Sequence, residues 1–246
     1  MLASFDTHIF WSALSSSPYW KGALIALALA AASLGIALVI GFFLALGRVS
    51  RFRVVRGIVF VYNWIFRATP TLLQLLFIWN ALPLLWPVFA QGWFKPFLAA
   101  LVALSLNEAA YMCEIIRAGL MSVDPGQELA GRALGMSQRK ILRRVIVPQA
   151  VRIVIPPTGN EFITLLKLTS LASVISLQEL LTASENLASA QFNYVEAYSA
   201  ALVYYLGIVS VLMVLQSRLE RKFTWTSRRR ARVAAPAVPA ISHDAR

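Results

Sequence analysis

Apolar residues fall into long blocks along this chain, divided by short stretches where arginine, lysine, proline and glycine collect. Five blocks reach the roughly 20 residues that a helix needs to cross a hydrocarbon layer. They are 22–47, 57–82, 97–120, 150–181 and 197–215. The first is rich in Ala, Gly and Ser, which permits close helix packing in a membrane. The second carries Arg67 and Pro70 inside it. Pro70 removes a backbone hydrogen bond, so the pattern predicts a kink, tolerable where protein or a cavity covers it. The fourth is long and polar for one span, with Pro156, Pro157, Asn160, Glu161, Lys167, Thr169 and Ser170, and a broken helix is expected. Pro83, Pro87, Gly92 and Pro96 mark one outer loop, and the polar stretch 182–196 is read as a second. No internal repeat is visible. The predicted fold is an all-α integral membrane protein of about five transmembrane helices.

Composition agrees: of 246 residues, 59% are hydrophobic and only 14% charged, unlike an ordinary soluble domain. The net charge of +12 raises the question of nucleic acid, but its placement answers it. Arg48, Arg51, Arg53 and Arg56 form one cluster, and 117–152 holds a second. Arg218, Arg221, Lys222, Arg228, Arg229, Arg230 and Arg232 form a third. Each lies at the end of an apolar block, the positive-inside pattern, so no nucleic-acid partner is needed. This sets the amino terminus outside and the carboxyl terminus in the cytoplasm. Residues 1–20 contain no Lys or Arg and read as an outer segment whose Phe10, Trp11, Tyr19 and Trp20 form an interfacial aromatic belt. Residues 21–221 form the membrane domain. Residues 222–246, Ala- and Pro-rich from Val233, are expected to be a disordered cytoplasmic tail. Cys113 is the sole cysteine, so no intrachain disulfide forms.

The stretch 123–149, VDPGQELAGRALGMSQRKILRRVIVPQ, reads as a helix-turn-helix with a basic face. Asp124 and Gln127 have capping-box spacing, and Pro125 suits the first helical position. Gly135 offers a left-handed stop, and Ser137 can cap a second helix. On that helix Arg139, Lys140, Arg143 and Arg144 fill one arc, while Ile141, Leu142, Val145 and Ile146 fill the other, and Pro148 is expected to end it. Such a helix lies at the membrane interface with its cations toward lipid phosphates or a partner.

Gly126, Gln127, Ala130, the run Ala133-Leu134-Gly135-Met136-Ser137 and the run Val147-Pro148-Gln149-Ala150 resemble the cytoplasmic coupling loop, the "EAA loop", of ABC-importer permeases. The polar amino acid branch, which handles histidine, glutamine, glutamate, arginine and opines, is the most similar. Residues 66–70 with Gln74, and 106–117, resemble further segments of that family, with Ala68 where the family has Gly. The resemblance runs from about Lys21 to Arg221. The loop departs in one respect: the family's acid falls on Leu129, its second alanine falls on Gly131, and Glu128 stands one place early. One residue turns a side chain by about 100° on a helix, so Glu128 is no simple replacement.

The resemblance implies a type I importer permease in a bacterial inner membrane, working by alternating access. It implies as partners a dimer of ABC ATPase subunits, a second permease (identical or paralogous), and a periplasmic or lipid-anchored substrate-binding protein. Gly126, Gln127, Glu128, Ala130, Leu134, Gly135, Ser137, Arg143 and Arg144 would face the ATPase. ATP and Mg would be bound on that subunit, leaving this chain with no cofactor and no catalytic residue.

Depth counting gives the candidate pathway. At about 1.5 Å per residue, about ten residues reach the middle of a roughly 30 Å layer. Counting from Arg56, Arg117 and Arg152 lands on Arg67, Glu108 and Glu161, assuming continuous helices. Asn107, Tyr111 and Glu114 share one helix face by i, i+4, i+7 spacing. Membrane-embedded charges point to function, so Glu161, Asn107, Tyr111, Glu108 and Arg67 are the candidate substrate residues. An Arg67–glutamate ion pair that only fixes packing is the structural counterpart. Lys167 lies on another face from Glu161. An ion-coupled secondary transporter is the alternative, although such folds show paired repeats. A membrane enzyme is disfavoured: HExxH, GxSxG and a Cys–His pair are absent, and His8 and His243 lie in the tails. GxxxxGK[ST] is absent too, so this chain does not carry a P-loop.

Overall fold

The computed structural model describes residues 5–234, with side chains as far as 222. The helices are α1 (Thr7–Ser15), α2 (Ser17–Arg48), α3 (Arg53–Ala68), α4 (Thr71–Leu76) and α5 (Leu82–Leu85), followed by α6 (Pro96–Met121), α7 (Pro125–Ala133) and α8 (Gln138–Ile141). The described residues end in α9 (Val147–Leu168), α10 (Leu180–Gln191) and α11 (Tyr194–Ala234). Three of them, α2, α6 and α11 as far as Lys222, are long and apolar enough to cross a membrane alone. Two bent pairs complete the expected five: α3 with α4–α5, and α8–α9 with α10.

The centre is the packing of α2 against α6, the most extensive helix pair. Its seam is built from small residues: Ala26, Ala30, Ala37 and Ala45 on α2 meet Ala99, Ala103, Ala109 and Cys113 on α6, all buried. At Gly41 an added Cβ would stand 2.6 Å from the Met112 Cβ, so only glycine lets the backbones approach this far. Lipid gives no hydrophobic drive between helices, so such close contact is what holds them together. Glu114 ties the end of this seam nearest Arg48. It accepts from Asn63 Nδ2 of α3 at 3.1 Å and pairs with Arg117 at 2.8 Å and Arg48 at 3.8 Å.

Several expectations are corrected. The second span is not kinked at Pro70 but turned through 104° between α3 and α4, so the continuous-helix depth count does not apply to Arg67. Residues 182–196 are mostly the helix α10, entered after Ser176 adopts a left-handed φ of 61°. The fourth span does break: it tightens to a 3-10 segment at Thr169–Ile175 and then bends by 47° between Ile175 and Leu180. Residues 1–20 are not a surface belt alone. Helix α1 is N-capped by Asp6, and Tyr19 is buried with its hydroxyl donating to the Ala197 carbonyl at 3.0 Å. Trp11 and Trp20 do stay exposed. The expected tail boundary at 222 falls inside α11, which runs to Ala234; the rest of the tail lies outside the described residues.

The 104° turn has a specific chemistry. In an unbroken helix the Phe66 carbonyl would accept from residue 70, and Pro70 has no N–H. Asn107 Nδ2 supplies that bond at 2.9 Å and Gln74 Nε2 a second at 3.0 Å. Gln74 Nε2 also donates to the Thr69 carbonyl at 3.1 Å and the Thr69 hydroxyl at 2.7 Å, and its Oε1 accepts from Asn107 at 3.0 Å. Gln74→Leu removes this clasp while keeping the volume. A buried polar group left unpaired costs about 1–3 kcal/mol, so thermal unfolding in detergent should show Tm lowered by several degrees. An unchanged Tm would mean that other donors serve these carbonyls.

Candidate functional site

The loop at 123–149 is a compact hairpin. Asp124 caps α7, its Oδ1 accepting from the Gly126 N–H at 2.7 Å, with Pro125 in the first turn. The capping box is not closed in the expected way, because the Gln127 carboxamide oxygen accepts from Gln149 at 3.5 Å. Helix α7 ends in a Schellman turn: Met136 N–H donates to the Gly131 carbonyl at 3.0 Å and Gly135 N–H to Arg132 at 2.9 Å. Gly135 has φ of 71°, as its spacing predicts. Ser137 stands at the next N-cap position but makes no side-chain cap bond; its carbonyl takes the N–H groups of Lys140 and Ile141. Gly131 seats the fully buried Ile141, where a Cβ would meet Ile141 Cγ1 at 2.8 Å.

Pro148 does not end the second loop helix. A π-turn at Leu142–Ile146 precedes it, with the Val147 N–H donating to Leu142, and α8 runs on into α9. The wider turn absorbs the N–H that proline lacks. The second loop helix and α9 are thus one rod. Glu128 is engaged within the hairpin: its Oε1 accepts from Arg132 at 2.5 Å and from Gln138 at 3.1 Å. The bonds from Gln138 and Arg132 hold its carboxyl below the usual carboxylate range. What the hairpin presents outward is apolar and basic. Leu129 is 66% and Leu134 80% exposed, Gly126, Gln127 and Ala130 lie beside them, and Arg139, Lys140, Arg143 and Arg144 are all exposed. None of these four cations joins an ion pair among the described residues.

In the membrane domain α6 gathers the second group. Asn107, Tyr111 and Glu114 do share a face, turned to α3: Asn107 meets Phe66, Tyr111 lies under the Arg67 guanidinium at 5.4 Å, and Glu114 meets Asn63. The role of Asn107 in pinning the helix break was not read from the sequence, nor was that of Gln74. A signal was present, since a proline inside a span orphans the carbonyl four residues earlier and calls for a donor nearby. Glu108 is 1% exposed, with Oε1 unpartnered, and it lies within electrostatic reach of Glu161 on α9. Arg67 joins none of the ion pairs among the described residues, so the Arg67–glutamate pair weighed as the structural alternative is not formed there.

A family model described as "Binding-protein-dependent transport system inner membrane component" matches residues 37–225. The arginine transport system permease protein ArgU of Corynebacterium glutamicum is 42% identical over 229 residues, covering 89% of this chain and 69% of that protein. The octopine transport system permease protein OccM of Rhizobium radiobacter is 36% identical over 239 residues, covering 95% and 96%. Among solved structures, the crystal structure of an amino acid ABC transporter with histidines superposes with a TM-score of 0.79 at 33% identity, covering 90% of this chain and all of that one.

The four free cations generate a test. Each contributes on the order of 1 kcal/mol at an anionic surface, and an acidic protein face would use them as well. Replacing Arg143 and Arg144 together by Glu is expected to release the ATPase during co-purification in detergent. Full retention would assign the arc to lipid phosphates instead.

Proposed function

Because the chain belongs to the family of binding-protein-dependent transport system inner membrane components, we propose that it carries a polar amino acid, or an opine-like derivative, into the cytoplasm. It is the membrane-spanning permease of an ABC importer and works with an ATPase and a substrate-binding protein. In our reading the pathway forms between two permease subunits, identical or related, with the amino terminus outside and the carboxyl terminus in the cytoplasm. The chain catalyses no covalent step; ATP and Mg belong to the ATPase subunits. None of the relatives described above supports an ion-coupled transporter.

One observation carries this reading: the exposed hairpin and the span bearing Glu161 are joined by continuous helix from α8 through the π-turn into α9. From Arg139 to Glu161 the rod is about 30 Å long at 1.5 Å per residue. When ATP binding draws the ATPase subunits together, Leu129, Leu134 and the basic arc would be displaced with them. The rod then tilts, which turns Glu161 relative to Glu108, and the site opens to the other side. The substrate's ammonium group is met by Glu161 and its carboxylate by Arg67, beside Tyr111, with Asn107 holding the bend.

Two outcomes are expected. Nothing stands within 4 Å of a Cβ built at Gly135, so a substitution there strains only the backbone, by about 1–2 kcal/mol. Gly135→Asp should therefore insert and assemble but lose substrate-stimulated ATP hydrolysis in the reconstituted importer; normal stimulation would contradict a coupling role. Glu161→Gln keeps shape and removes charge, and should weaken amino-acid uptake at least about tenfold, the loss of one charged hydrogen bond. Unchanged affinity and selectivity would remove Glu161 from the site.

A further inference from the structure

Away from the acids, the membrane domain carries a hollow of a different character. Helices α2, α6, α9 and α11 enclose a groove of about 530 Å³, walled by Leu38 and Phe42 of α2, Leu120 of α6, Val151 and Ile155 of α9, and Leu219 of α11. Phe42, Val151 and Leu219 are exposed and form its open lip. Thr158 is the single polar side chain among the lining residues, and its hydroxyl donates to the Val154 carbonyl at 2.8 Å. The walls thus offer a polar solute no hydrogen bond. Along α9 the groove runs from Val147 to Phe162, about 22 Å at 1.5 Å per residue. Half of a hydrocarbon layer is roughly 15 Å, so the groove is long enough for a chain that descends from one membrane face.

Cations gather at the end of the groove where the spans meet the loop. Arg152 follows Val151 on α9, and Arg218, Arg221 and Lys222 surround Leu219 on α11. All four are exposed, and none joins an ion pair among the described residues. Glu220 is the acid on that turn of α11, and its Oε1 accepts from Gln216 Nε2 at 3.1 Å. Gln216 also donates to the Pro156 carbonyl at 3.3 Å and lies against Gly159, which fixes α11 on α9 and brings the two sets of cations to one level. Two occupants compete for such a groove. A second permease in the same orientation would bring its own basic span ends to this level, and like charges repel. A membrane phospholipid with an anionic headgroup brings the opposite charge and an acyl chain as well. We propose that the groove binds one anionic phospholipid, its acyl chain lying along α9 and its phosphate held by Arg152 and Lys222. Long cationic side chains lay their stems on apolar wall and keep their charge at the membrane surface, where each one strengthens attraction to anionic lipid. The lipid then joins the α9 rod to α11, whichever substrate the chain carries.

Photolabelling of the intact importer in phosphatidylcholine nanodiscs tests this. The probe is a trace of phospholipid with a diazirine in one acyl chain, added either as phosphatidylglycerol or as phosphatidylcholine, and adducts on residues 147–162 are read by mass spectrometry. The phosphatidylglycerol probe is expected to label this segment at least about tenfold more, as two surface cations allow. Arg152→Gln combined with Lys222→Gln should equalise the two probes while the phosphatidylcholine signal stays, which shows that the groove itself persists. Val151→Trp, on the exposed lip, fills the groove and should abolish labelling by both. Equal labelling by the two probes in the unmodified importer, an undiminished preference in the double variant, or labelling that survives Val151→Trp overturns the proposal. Cys113 is the sole native cysteine and is buried, so Val151→Cys adds an exposed thiol. Ready disulfide linkage of two copies through it would assign the groove to a second permease and overturn the proposal as well.

Discussion

A single backbone carbonyl, that of Phe66, sets the constraint around which the membrane domain is arranged. Pro70 deprives it of its helical donor, and in a hydrocarbon layer there is no water to replace the lost bond. Asn107 and Gln74 both donate to it. The turn of 104° is therefore a defined structure rather than a loose joint. Its consequence is positional. Holding α3 against α6 by Asn107 brings Arg67 over Tyr111 and leaves the next residue, Glu108, turned toward α9. The candidate pathway thus borders the repair of a broken helix, and the same asparagine serves both.

A second proline shows the same physics with another solution. Pro148 also lacks an N–H, but here the ladder widens into a π-turn instead of breaking. The difference is what lies alongside. At Pro70 the chain turns sharply and side chains from a neighbouring helix fill the gap. At Pro148 the helix continues at the membrane surface, where Gln149 bonds the Val145 carbonyl at 2.9 Å. Continuity at one proline and rupture at the other divide the molecule into a lever and a bend.

These two prolines also mark where the sequence stopped being legible. Five apolar blocks, a left-handed Gly135 and a break in the fourth span follow from length, spacing and φ preference, all local properties. Whether a proline kinks, breaks or widens a helix depends on donors that arrive from elsewhere in the chain. Asn107 is 37 residues from Pro70 along the chain, and no pattern in one span names it. Tyr19 failed for the same reason: an aromatic residue near a span end reads as interfacial until Ala197 offers its carbonyl. The stretch 182–196 reads as a loop because it is polar, yet Thr182 and Ser184 are buried in α10, their hydroxyls donating to the carbonyls of Leu177 and Leu181. In the candidate site, residue types were readable, but the approach of Glu108 to Glu161 between α6 and α9 was not.

The distribution of paired and unpaired charge then separates scaffold from function. Glu114 is tied to Arg48 and Arg117, and Glu128 to Arg132; both fix local geometry at and beside the loop. Surface pairs of this sort contribute little energy each, and their use is to hold the ends of α2, α3, α6 and α7 in register. Two groups outside these ion pairs matter for function: one is the basic arc of the loop, exposed to a partner or to lipid; the other is the pair of acids Glu108 and Glu161, buried and half-buried between α6 and α9. Water screens exposed cations, so the first set persists at small cost. The second lies in a low-dielectric interior, where a carboxyl is kept by taking up a proton or by finding a donor, so burial without an ion pair sets these acids apart from the paired scaffold.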